Sequence, residues 1–138
     1  MASPYKALQI ALGVFGVVAL CLYPLAAVWP SGWAWHPGPP HHSDYFMMIV
    51  GLYATLGVFL VWAARNPRAH LSLIWFAVWS SVVHAVIMAV QSVRGEHQTG
   101  HLVGDVPALL FVAIVLAVLV RASGLTMSEE QPAAVERS

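Results

Sequence analysis

Histidine, methionine and acidic residues carry the chemical capacity of this 138-residue sequence, and they are spread unevenly along it. Five of the seven histidines fall in two polar segments, His36, His41 and His42 in the first and His97 and His101 in the second. Asp44, Glu96 and Asp105 lie in or beside the same segments, and Met47, Met48 and Met88 lie just inside the flanking apolar runs. Imidazole with carboxylate suits zinc or copper(II), and thioether shifts the preference toward copper(I). His97 and His101 stand four apart, the spacing that puts two ligands on one helical face, although Gly100 between them works against a continuous helix. The candidate metal set is therefore His84, Met88, Met48, His97, His101, Asp44, His41 and His42, with copper or zinc as the ion. A haem would need a second axial ligand beside His84, and Met47 or Met48 would supply it. Catalysis has less to stand on. The sequence offers no nucleophile with an evident base, no pair of carboxylates in an apolar run and no phosphate-binding loop, so an enzyme is the least supported class.

The elements that would position these residues follow from composition. Hydrophobic residues make up 59% of the chain, charged residues 9%, and the mean hydropathy is +0.75. A soluble domain carries charge on about a quarter of its residues, so most of this surface must face lipid. Six basic residues balance six acidic ones, and no basic surplus points to nucleic acid. Cys21 is the single cysteine and cannot form an intrachain disulfide. About 20 apolar residues are needed for a helix to cross a bilayer. Four stretches meet or approach this length, giving helices over about 7–29, 45–64, 71–92 and 106–122. The expected fold is all-α, a polytopic antiparallel bundle of four transmembrane helices over residues 1–125, followed by a disordered cytoplasmic tail over 126–138. Asn66-Pro67 makes a tight turn that should pair the second and third helices as a hairpin. Lys6, Arg65, Arg68, Arg121 and Arg137 fall on one side of this topology and only Arg94 on the other. The positive-inside rule then places both termini in the cytoplasm and the histidine-rich segments outside.

Small and polar residues should mark the helix–helix seams. Gly13 and Gly16 lie on a shared stripe of the first helix, Gly51 and Thr55 on one of the second, and Ser80, Ser81, His84, Met88 and Gln91 within one arc of the third. His84 stands apart from the rest. It lies 14 residues beyond His70, ~21 Å along the helix, where an ionisable side chain must face the bundle and find a partner.

The segment GLYATLGVFLVWAARNPRAHLSLIWFAVWSSVVHAVIMAVQ, from Gly51 to Gln91, resembles a family of small bacterial four-helix membrane proteins of unknown function. The resemblance rests on GLYATLGVFL, on AARNPRAH with SLI after it, and on WSSVVHAVIMAVQ. It implies the four-helix topology and draws attention to Asn66, Pro67, His70, Ser80, Ser81, His84, Met88 and Gln91. It implies no activity. The sequence thus reads first as a non-catalytic protein of the bacterial inner membrane, an accessory or interaction subunit that associates with itself or with a larger membrane complex. A metal- or cofactor-binding membrane protein is the alternative, and a small transporter or proton pathway through His84 is the third reading.

Overall fold

The computed structural model describes residues 3–29, 39–94 and 100–126, and of these the side chains of 40, 94, 100 and 101 are not described. The described residues are almost entirely helical: α1 (Pro4–Leu20), α2 (Leu22–Val28), α3 (Asp44–Ala63), α4 (Leu71–Arg94), the single turn α5 (Gly100–Val103) and α6 (Asp105–Ala122). Three described stretches are long and apolar enough to cross a membrane by themselves: Asp44–Ala63, Pro67–Val93 and Asp105–Ala122. The chain is a multi-pass membrane protein.

The first apolar run departs from the expected single helix over 7–29. It is bent by 58° between α1 and α2, so it makes a fourth crossing only if the two pieces together form one span. The physical reason lies in the sequence. Pro24 has no N–H to give Leu20, and its ring clashes with the carbonyl four residues back. The chain answers with a break at Cys21, whose own N–H reaches the carbonyls of Val17 and Val18, before helix resumes with Leu25 N–H bonded to Cys21 O.

The other helix ends are set by local chemistry. Ser43 caps α3, its hydroxyl accepting from Phe46 N–H at 3.2 Å. Ser43→Ala should lower stability by roughly 1 kcal/mol, read as a drop in the thermal midpoint of the purified protein. At the far end of α6, Gly124 takes φ +64, Gly124 N–H bonds Arg121 O and Leu125 N–H bonds Val120 O. This reversal stops the helix at Ala122 and folds Leu125 back onto Val120, both of them buried. The anticipated tail beyond 126 lies outside the described residues.

Gln9 Nε2 donates to Arg65 O at 3.3 Å, and Leu8, Leu71 and Leu125 belong to one buried cluster. The start of α1, the Asn66 turn and the end of α6 therefore share one end of the bundle, together with Lys6, Arg65, Arg68 and Arg121. We call this the Asn66 end. The starts of α3 and α6, with Asp44 and Asp105, form the other, the Asp105 end.

Helix pairing also differs from expectation. Although α3 and α4 are joined by the short Asn66-Pro67 turn, they touch only lightly. The extensive contacts are α1 against α3 and α4 against α6, with α1 bridging to α6 through Phe15 and Phe111, whose rings meet edge to face at 6.1 Å. Close backbone approach explains the first pair. A Cβ added at Gly57 would lie 2.7 Å from Gly16 O, and one at Gly16 would lie 2.9 Å from Gly57 O. Lipid tails are as apolar as leucine, so such contact stabilises a membrane bundle through packing rather than through escape from water. Toward the Asn66 end the centre is filled by Leu8, Leu12, Leu60, Ile74, Leu116 and Val120, all nearly or wholly inaccessible.

Candidate functional site

The polar centre of the bundle is built across the gap that α3 and α4 leave between them. Tyr53 on α3 and His84 on α4 meet there, with Tyr53 Oη 2.6 Å from His84 Nδ1. Their rings are 5.9 Å apart and tilted by 51°. The direction of helical side chains accounts for the encounter. Side chains lean toward the N-terminus of their own helix, and the two helices run in opposite directions. Tyr53 therefore leans toward the Asp105 end and His84 toward the Asn66 end, and the phenol spans the remaining distance. Tyr53 and His84 are each half-buried.

Asp105 completes the group. It opens α6, is only 6% exposed, and lines the same pocket as Tyr53 and His84. Its carboxyl sits in the first turn of α6, where the helix dipole favours negative charge. Ser81, one turn before His84 on α4, is buried on the same side.

These four residues line one cavity of about 120 Å³. Every long apolar run contributes to its wall, with Phe15 and Leu22 from the broken first run, Phe46 and Ile49 from α3, Ala77 from α4 and Val112 from α6. The wall is hydrocarbon apart from the Tyr53, His84, Asp105 and Ser81 cluster. A site of this kind can hold a molecule by shape and a few hydrogen bonds.

The candidate metal set is not gathered there. His84 faces Tyr53 rather than Met48, which is 60% exposed on the outer surface of α3, while Met88 is buried. His41 and His42 are exposed and pack edge to face on each other at 4.6 Å, and Asp44 is exposed. His97 lies outside the described residues, as does the side chain of His101. Among the described residues, no group of three or more His, Cys, Asp or Glu side chains could hold a metal ion.

The seam residues divide. Gly16 makes the close crossing, Ser81 is buried at the cavity, and Ser80 is half-buried with its hydroxyl on Ala77 O. Gly13 and Gly51 face open space, Gln91 is exposed, and exposed Thr55 bonds Gly51 O of its own helix at 2.9 Å. The buried stripe of α1 runs through Leu8, Leu12 and Gly16, rotated about 100° from a stripe through Gln9 and Gly13.

Tyr53 and Gly57 are the residues that sequence reasoning passed over. Tyr53 is the one tyrosine inside the apolar run from Phe46 to Ala63, and its phenol must find a partner if it faces inward. That need was a usable signal. Gly57 follows Gly16 only once the helices are paired, so its role had no signal in a single sequence.

No curated protein and no solved structure matches the chain. A family model does match, over residues 2–137, and by that near-complete coverage the chain belongs to the Family of unknown function (DUF6632).

Proposed function

We propose that this protein is a four-span, non-catalytic component of the bacterial cytoplasmic membrane, with both termini cytoplasmic, working as an accessory or interaction subunit. The observation that carries the reading is the use to which the chain puts its polar side chains. Tyr53 and His84 tie α3 to α4, Gln9 ties α1 to the Asn66 turn, and Ser92 and Ser123 bond carbonyls of their own helices. The first two contacts tie separate elements of the bundle, the serine contacts satisfy polar groups within their own helices, and broad apolar faces are left outside. On α4, Phe76, Trp79, Val83, Val86, Ile87 and Val90 are all 44% exposed or more. Such a face contacts lipid or the apolar surface of another membrane protein.

The test is the size of the native species. Photocrosslinking from Trp79 and Val86 positions in intact membranes should trap the chain in an assembly heavier than its 14.9 kDa monomer. Crosslinks to lipid alone, with a monomer on native gels, would remove the subunit reading.

Transport has less support, because a proton or solute passing His84 would next meet the leucine-rich centre at the Asn66 end. Copper or zinc binding rests on His97 and His101 and would be decided by metal analysis of the untagged protein.

A further inference from the structure

We propose that the central cavity is a binding site for an uncharged amphiphile carrying a hydroxyl group, a medium-chain alcohol or a simple phenol, whose oxygen inserts between Tyr53 and His84.

Size sets the first limit. A hydrocarbon-walled cavity of ~150 Å³ holds one benzene molecule. At about 120 Å³ this cavity takes a slender chain end or, with small wall movements, one ring. Polarity sets the orientation. Tyr53, His84 and Asp105 stand together, while Phe15, Leu56, Leu60 and Val112 offer only hydrocarbon. A ligand with one polar end and an apolar body matches that division.

The hydrogen bond between Tyr53 and His84 sets the head group. One partner donates and the other accepts, whichever tautomer the imidazole adopts. A hydroxyl does both. Placed between them, it donates to one and accepts from the other, so two hydrogen bonds replace one. The exchange also asks little of the protein, because α3 and α4 touch only lightly at this gap. Charge sets the last limit. Any ionic head would give up its hydration to enter a wall made mostly of hydrocarbon. The bilayer is the natural source of such a molecule, since an alkyl alcohol or phenol partitions into it.

This proposal concerns the chain by itself and is tested on purified protein in lipid nanodiscs, so the outcome does not depend on a partner subunit. The probe is octanol carrying a photoreactive diazirine, with the labelled residues mapped by mass spectrometry. Labelling should concentrate on cavity-lining residues of α3 and α6 and be competed by unmodified octanol. Octanoate and octylammonium should compete at least tenfold less well. Octyl methyl ether accepts a hydrogen bond but cannot donate one, so it should compete about fivefold less well than octanol, the factor that follows from the loss of one hydrogen bond, and equal competition by the ether would overturn the head group. Ala108→Phe, which fills the cavity from α6, should abolish cavity labelling. Label scattered over lipid-facing positions such as Phe76 and Trp79, without competition, would overturn the site. Stronger competition by octanoate or octylammonium would overturn the ligand class. The competition series on the unaltered protein decides the matter even if Ala108→Phe does not fold.

Discussion

Gly57→Leu should unfold the bundle. A Cβ at this position would already stand 2.7 Å from Gly16 O and 2.9 Å from Leu20 Cγ, and the nearer contact is with backbone. A flexible side chain could turn away, but a helix backbone cannot yield without moving the whole of α1. Overpacking a well-filled site costs about 1–3 kcal/mol, and a leucine driven into a helix crossing belongs at or beyond the upper end. Gly57→Ala should cost about 2 kcal/mol on the same reasoning. Gly13→Ala and Gly51→Ala provide the contrast, because a Cβ at either position meets nothing within 4 Å. Their effect should be near zero, or slightly favourable where alanine suits a helix better than glycine. Unfolding of all four variants in mixed detergent micelles checks the set. Equal losses at Gly13 and Gly57 would mean that α1 and α3 do not cross at Gly16.

The second large effect concerns the tie between α3 and α4. Tyr53→Phe should destabilise the protein by about 1 kcal/mol and His84→Leu by about 2 kcal/mol, because each leaves the remaining partner polar and half-buried. Hydrogen bonds between membrane helices average about 0.6 kcal/mol and reach about 1.7 kcal/mol when isolated by double-mutant cycles. The 2.6 Å separation of Tyr53 Oη and His84 Nδ1 places this one toward the upper part of that range. The double variant should therefore show a coupling of about 1 kcal/mol. A coupling indistinguishable from zero would show that the two side chains do not meet. Because α3 and α4 have few other contacts, the same variants should also let those helices separate more readily. Crosslinking between cysteines placed on their facing sides would report that change.

Several features were legible in the residues. The apolar runs of α3, α4 and α6 stand within a residue or two of their expected ends, since Ser43, Asn66-Pro67 and Gly124 punctuate them locally. The inward orientation of His84 followed from the cost of leaving an imidazole in lipid. What escaped was set by rotation and partnership. A one-residue shift turns a helix by about 100°, which separates Gly13 from the buried Leu12 and Gly51 from any neighbour. The bend at Cys21 was written in Pro24, yet the unbroken apolar run around it reads as a single helix. The partnership of α1 with α3 and of α4 with α6 depends on shape complementarity between distant segments, which no local pattern encodes. Tyr53 became part of the site only through that arrangement.

The count and direction of crossings are the claim on which the rest depends, and the broken first run makes them testable at one residue. In a chain with Cys21→Ser, single cysteines at Ser3, Ser43, Asn66, Val103 and Ser123 can be probed in intact cells with a membrane-impermeant thiol reagent. If α1 and α2 together make one span, Ser3, Asn66 and Ser123 are protected while Ser43 and Val103 are labelled. If the bent pair enters and leaves on one side, Ser3 is labelled together with Ser43, and the four-span account fails.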